Sequence, residues 1–367
     1  MNTDFDAIVV GSGMAGGWSA KELTERGLKV LVLERGGPID PGKDYTDTVP
    51  PWDLPNLDRI PEDEVAADYP IQYRGVGYAV RESTKHFWVK DHEHPYVTPE
   101  GRDYDWLRGY HLGGRSIMWG RQSYRLGPQV FTANKAEGVA VDWPIRYEDV
   151  AKWYDHVEKF AGIAGNRDGV EQLPDGVFQP AFDLTCVEKS AKKKIESRFP
   201  GRKVIAARVA HLTDPTEEQQ ALGRSRCRVR SQCDRGCIFG AYFSSLTATL
   251  PAAERTGNCT VLTNQIVHRL SYDEKRQRLS GVEVIDTETR ERRRYTARVV
   301  FLNASAIASA MILLQSTSER FPNGLANDSD QVGRNLMDHV SAGTVYGLIP
   351  LSLLHIGRCR RWHSRVG

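Results

Sequence analysis

Three glycines and one acid near the N-terminus have the types and spacing to hold a diphosphate. Gly11, Gly13 and Gly16 stand in GSGMAG, between the apolar run DAIVV and a helix-like stretch at 14–26, and Glu34 closes the next apolar run, LKVLVLE. The first glycine permits a tight turn, the second lets backbone approach a pyrophosphate, and the third lets helix and sheet pack closely. The helix start offers unpaired N–H groups and the positive end of its dipole to phosphate, while Glu34 is placed to accept hydrogen bonds from ribose hydroxyls. An adenine dinucleotide is the implied ligand, and this motif alone leaves NAD and FAD both open. A second segment, HLGGRSIMWGR at 111–121, is foreign to a simple nicotinamide dehydrogenase. Its Gly113 and Gly114 present bare backbone to a flat ring system, which favours a flavin.

Other reactive side chains are weaker candidates. Cys227, Cys233 and Cys237 crowd into CRVRSQCDRGC. Thiolates bind zinc or iron–sulfur clusters, but these intervals differ from the common C-x2-C zinc spacing, and a fourth ligand would have to be the distant His211 or Cys186. Loop or buried thiols without a metal are the preferred reading. His86, His92 and His94 fall in a turn-rich stretch with no neighbouring cysteine to complete a site. No metal is assigned, and neither a nucleophile elbow nor a Walker loop occurs.

These residues need a frame. Segments 6–10, 14–26 and 28–34 make a βαβ unit. Between 36 and 99 Pro, Gly and Asp accumulate without a long periodic run, which suggests extended segments passing over a domain surface. A helix over 147–161 brings Val150, Trp153, Tyr154, Val157 and Phe160 to one face, expected to pack on a core. A second helix spans 186–199, its Lys192, Lys193 and Lys194 read as a solvated face. Strands at 260–273, 281–287 and 295–302 form a meander, and Arg290 and Arg292 to Arg294 at one of its turns lack the aromatic platform of a nucleic-acid site. The expected fold class is α/β: a Rossmann-like parallel sheet of the FAD/NAD(P)-binding type with a β-meander, plus an incomplete α+β substrate domain.

Composition narrows the partners. With 49 basic against 47 acidic residues in 367, the net charge of +2 gives no global attraction to nucleic acid or an anionic membrane. The longest apolar stretch, 299–314, is interrupted by Asn303, Ser305 and Ser309 and is too short for a membrane span. The N-terminus lacks the order of a signal peptide, and six cysteines are few, so a cytoplasmic location is expected. After Gly347 the tail carries no acid and matches neither helix nor strand patterning.

With HLGGRSIMWGR, the stretches DWPIRYEDVAKWYD (142–155), ARVVFLNASAIASAMILLQS (297–316) and VGRNLMDH (332–339) appear in order. In these segments the chain resembles the glucose-methanol-choline (GMC) oxidoreductases, most of all bacterial FAD-dependent sugar dehydrogenases and pyranose oxidase relatives. The resemblance implies FAD, with Gly11, Gly13, Met14, Ala15, Gly16, Glu34 and Arg35 at the ADP half. It implies Gly113, Gly114, Ser116, Met118, Trp119 and Gly120 around the isoalloxazine or ribityl chain. Val267 would meet the adenine side, Asn303 and Ala304 the pyrophosphate, and Asn335 and Asp338 the cofactor by contacts the resemblance does not specify. Met118 stands where covalent-flavin relatives place a histidine, so the FAD is expected to be noncovalent. Arg115 departs from the small residue many relatives carry.

The implied reaction moves hydride from a CH–OH group of a sugar or alcohol to flavin. The family's catalytic histidine lies on a later segment, and the family pattern breaks off soon after Tyr346, so no catalytic residue is assigned and a truncated copy is expected. His339 reads as a structural hydrogen-bonding residue. The implied FAD domain is discontinuous, over 1–60, 100–145 and 235–340, with covering or substrate segments at 61–99 and 146–234 and an atypical tail at 347–367. The alternative is a noncatalytic FAD- or nucleotide-binding remnant or subunit; a nicotinamide enzyme is disfavoured. Some sugar dehydrogenases of the wider family carry an iron–sulfur cluster on a cysteine-rich stretch, which leaves that role for the three cysteines open. A partner subunit and the electron acceptor are open as well.

Overall fold

The computed structural model describes residues 3–337. They form two compact units, one made of residues up to Arg121 together with Asp214–Arg334, the other built on Gln122–Thr213.

The first unit contains six strands: β1 (Phe5–Val10), β2 (Val30–Leu33), β3 (Cys259–Leu262), β4 (Gln265–Asp273), β5 (Arg278–Asp286) and β6 (Arg292–Leu302), in the order β3-β2-β1-β6-β5-β4. The first four neighbours run parallel, and β6-β5-β4 is an antiparallel meander. Helix α1 (Met14–Thr24) links β1 to β2, and Gly27, in left-handed backbone at φ 80°, turns the chain back. Both faces of β1 and β2 are covered. Ala7, Val9, Val30 and Val32 pack with Ala20 of α1 and Ala253 of the helix Leu250–Arg255. Ile8, Val10, Leu31 and Leu33 pack with Val267, Val282 and Val284 of the meander and Ile312 of the helix Ala306–Gln315. Two covered faces are why these strands read as unbroken apolar runs instead of alternating ones. The α/β parallel sheet with a meander is therefore the fold.

Three expectations about elements change. The run 260–273 is two strands, not one: Asn264 adopts φ 59°, so Cys259–Leu262 pairs parallel with β2 while Gln265–Asp273 enters the meander. Arg292 to Arg294 lie within β6, opposite Ile285, Val284 and Glu283, and only Arg290 is in the turn. The stretch 36–99 holds, besides the single helical turn Pro41–Asp44, two short helices, Glu62–Asp68 and Pro70–Val76, where the sequence predicts extended segments. Acids in the first turn of one and proline at the start of the other favour these helices without any long periodicity.

In the second unit α2 (Tyr147–Ala161) is a helix as the spacing predicts. Its apolar face is only partly a core face: Phe160 is buried, but Trp153 is 52% and Val157 37% exposed. The buried anchor is polar. Arg125 donates to both carboxylate oxygens of Glu158, at 2.7 and 2.5 Å, and Val177 N–H donates to the same carboxylate at 2.8 Å. Apolar spacing shows which side chains share a face; it does not show what that face meets. The helix Cys186–Arg198 opens on a capping box made by Thr185 and Glu188. No helix of the described residues is long and apolar enough to cross a membrane.

Candidate dinucleotide site

The first glycine turn leaves the C-terminal end of β1 and enters α1. Gly11 sits at φ 95°, and a Cβ there would lie 2.6 Å from the Asn303 carbonyl oxygen. A Cβ on Gly16 would lie 1.8 Å from the Gly11 carbonyl oxygen. These two glycines are required by the protein's own packing. Gly13 is different, because a Cβ on it would meet nothing within 4 Å. Open space in front of bare backbone is what a phosphate needs. α1 has no side-chain cap and no acid in its first turn, so its N-terminal N–H groups and positive dipole end face that space uncompensated.

Glu34 at the end of β2 is buried. One carboxylate oxygen accepts from Ser12 N–H at 3.0 Å and Ser12 Oγ at 2.5 Å, and the other accepts from Gly36 N–H at 2.9 Å. Burial pushes its carboxyl above the ordinary range, and these hydrogen bonds oppose that rise. Beyond it the Arg35 guanidinium lies 4.0 Å over the Tyr110 ring. Met14 and Ala15 form the first turn of α1.

The second glycine loop lies directly against the first. Gly113 and Gly114 take φ 83° and 49°, and a Cβ on Gly114 would be 3.3 Å from the Gly13 Cα. Gly113 N–H donates to Ser12 Oγ at 2.9 Å, and Ser116 Oγ donates to the Gly113 carbonyl at 2.6 Å. Ser116 is therefore buried and used as a strut. Trp119 Nε1–H donates to the Phe243 carbonyl at 2.9 Å, Met118 packs beside Phe87 and Ile117, and Gly120 faces open space. Asn303 N–H donates to Val10 O at 2.9 Å and its side-chain amide to Ser19 Oγ at 3.1 Å, which sets Asn303 and Ala304 against Gly11.

Thus the structure brings together Gly11, Gly13, Met14, Ala15, Gly16, Glu34, Gly113, Gly114, Ser116, Asn303 and Ala304. Val267 is buried in the β4 core, at a register irregularity of the β4–β5 pair. Asn335, at φ 59°, is grouped with the second unit. Asp338 and His339 lie outside the described residues. Two residues that sequence reasoning passed over join the site. Ser12 is the middle residue between two glycines, where only the glycines attract notice. Ser245 begins the wide turn Ser245–Thr249; its N–H donates to Ser116 Oγ at 2.9 Å and its Oγ to the Gly13 carbonyl at 2.8 Å. The hydroxyl-rich run SSLTAT was the available signal.

The cysteines lie next to this loop without forming a metal set. Cys227, Cys233 and Cys237 are free thiols, and burial pushes the Cys233 thiol up. Arg121 spans from the Ile117 carbonyl, at 2.9 Å, to the Cys233 carbonyl. Among the described residues no three His, Cys, Asp or Glu side chains gather as metal ligands. His86 is bound to the Asp44 carbonyl at 2.8 Å, and His94 stands edge-on to Tyr110.

Two glycine loops in backbone contact, around an uncapped helix start with open space before Gly13, form the frame of a dinucleotide site. The family model described as GMC oxidoreductase matches residues 5–341. The chain belongs to the GMC oxidoreductases. It is 26% identical to the fructose dehydrogenase large subunit of Gluconobacter japonicus, over 92% of this chain and 59% of that protein. It is 27% identical to paromamine 6'-oxidase of Streptomyces fradiae, over 90% of this chain and 53% of that protein. It is also 27% identical to the oxygen-dependent choline dehydrogenase of Pseudomonas putida, over 96% and 56% respectively. This GMC chain therefore spans a little over half the length of the curated relatives it matches. Its matched part contains both glycine loops, so the GMC family likeness and the observed geometry concern the same residues.

Proposed function

We propose that the chain is the FAD-holding part of a GMC-type oxidoreductase that acts on a CH–OH group of a sugar or alcohol. The observation that carries this reading is the open space before Gly13, bounded by the uncapped start of α1 and by the abutting Gly113–Gly114 loop. Bound FAD supplies a two-electron acceptor for hydride. The α1 N-terminus and the Gly13 backbone would hold the pyrophosphate, with Asn303 and Ala304 beside it; Glu34 and Arg35 would lie at the ribose and adenine end, with Val267 on the adenine side. Gly113, Gly114, Met118, Trp119 and Gly120 would border the ring or ribityl chain, and Asn335 and Asp338 would add contacts from the last family segment. The Met118 thioether cannot form a histidyl bond, which supports noncovalent binding. Residues 1–60, 100–145 and 235–340 would form the cofactor domain and 61–99 with 146–234 the covering or substrate side. No described residue is assigned as catalytic base.

The names of the relatives support a polyol-like substrate, and the name of one of them, a large subunit, supports assembly with a further subunit. The test is reconstitution with FAD followed by gel filtration. Visible flavin absorbance eluting with the protein, all of it released by acid precipitation, is expected. Absence of flavin after reconstitution defeats the reading, and flavin retained in the precipitate defeats its noncovalent part. Dye-linked oxidation of sugars by the chain alone would show that it carries a base of its own.

A further inference from the structure

The contact between the two glycine loops runs through one hydroxyl. Ser12 is fully buried, and its Oγ takes part in two bonds of different sense: it donates to Glu34 at 2.5 Å and accepts from Gly113 N–H at 2.9 Å. A hydroxyl has one proton and two lone pairs. The same Glu34 oxygen also accepts from Ser12 N–H, so it is the acceptor here, the Ser12 proton is committed to it and the Ser12 lone pairs are left for Gly113. The other backbone group of Gly113 is held separately, its carbonyl by Ser116 Oγ. Ser116 is held in turn by Ser245 N–H, and Ser245 Oγ returns to the Gly13 carbonyl. The result is a closed circuit, Ser12–Gly113–Ser116–Ser245–Gly13 and back to Ser12, in which every link is a hydrogen bond or the covalent step from Gly13 to Ser12, and Ser12 ties that circuit to Glu34.

We infer that Ser12 is a positioning residue: by linking Glu34 to Gly113 it fixes the Gly113–Gly114 loop relative to the dinucleotide turn, and so sets the spacing between the surfaces for the two halves of the cofactor. The cofactor half of this inference rests on the FAD reading above; the loop coupling does not. Ser245 alone does not replace Ser12, because it holds Gly113 only through Ser116 and only at the carbonyl. The Gly113 N–H has Ser12 as its acceptor.

The test uses the full chain as wild type, Ser12→Ala and Ser12→Thr, with two readouts. Residue-resolved hydrogen exchange without cofactor comes first. In Ser12→Ala the Gly113 amide is expected to exchange about tenfold faster, the loss of one buried hydrogen bond. The Gly114 amide, which donates to the His111 carbonyl at 2.9 Å, is expected to keep its rate. Ser12→Thr keeps the hydroxyl and is expected to restore Gly113 protection. An unchanged Gly113 rate in Ser12→Ala overturns the inference, as does an acceleration spread equally over β1, α1 and the loop, which marks a purely structural role. The second readout is the visible circular dichroism of added FAD, expected to change in Ser12→Ala and return in Ser12→Thr. An identical spectrum in all three proteins overturns the cofactor half. Failure of wild type to bind FAD defeats the cofactor reading itself, and the exchange data still decide the loop coupling.

Discussion

Thr296 and Ala297 are consecutive residues of β6 with opposite partners: Thr296 pairs antiparallel with Gly281 of β5, and Ala297 pairs parallel with Phe5 of β1. One continuous strand thereby joins the meander to the parallel sheet. From Ala297 to Leu302 only the β1 side is paired in the ladders of the described residues, and Val299 is 43% exposed. β2, by contrast, is paired with β1 and β3 and buried along its length. Among the described residues this apolar strand has one open side, a place for further pairing.

Hydrogen exchange and denaturant unfolding are expected to separate the two strands. Amides of β2 are predicted to be among the slowest to exchange, and those of 298–302 that face away from β1 among the fastest in the sheet. Val32→Ala is predicted to lower the unfolding free energy by about 2 kcal/mol, Val299→Ala by less than about 1 kcal/mol. Equal losses at the two positions would contradict the assignment of the open side.

The three glycines of GSGMAG are predicted to fail in different ways. Gly16→Ala places a methyl against the Gly11 carbonyl, and unfolding in urea is expected to show a loss of about 2–3 kcal/mol. Gly13→Ala meets no protein atom, so its stability is expected to stay near wild type while FAD titration shows binding weakened about tenfold or more. A Gly13→Ala protein that binds FAD as wild type does would remove Gly13 from the cofactor surface.

His111 makes the fold sensitive to acid. Burial holds its imidazole down to about 4, from an ordinary 6.5, so the folded protein keeps it neutral where the unfolded chain protonates it. The unfolded state then binds more protons between these values, and stability falls as pH drops from 6.5 toward 4. The loss is at most about 3.4 kcal/mol. Urea unfolding of wild type and His111→Asn across that range is the check: the difference between them is expected to shift in favour of the variant at low pH. A constant difference would place the acid sensitivity elsewhere.

Glu158 is predicted to matter more to the second unit than the tryptophan five residues before it. Both side chains of the Arg125–Glu158 pair are buried, so Glu158→Ala leaves the guanidinium with only the half-exposed Asp155 as a charge partner and is expected to cost about 3 kcal/mol. Trp153→Ala, on a half-exposed side chain, is expected to cost clearly less. Thermal unfolding of the two variants gives the comparison, and the reverse ranking would refute the polar anchor.

Local physical chemistry alone determined the β1–turn–α1–β2 unit and the helix over 147–161, because glycine sterics and side-chain periodicity act between residues near in the chain; the family was legible only as a resemblance of ordered segments. The glycines at 11, 13 and 16 and their separate roles were legible in the motif, and the structure adds which atoms are involved: Gly11 and Gly16 abut the protein's own carbonyls while Gly13 faces open space. Tertiary structure decided the rest. Ser245 reaches Gly13 across 232 positions, Asn264 divides one apolar run between two parts of the sheet, and Glu158 anchors a helix whose apolar stripe was the visible feature. A hydroxyl or a carboxylate carries no periodic signature, and its partner is chosen only when the folded chain closes a long loop and leaves a buried donor or acceptor to be satisfied.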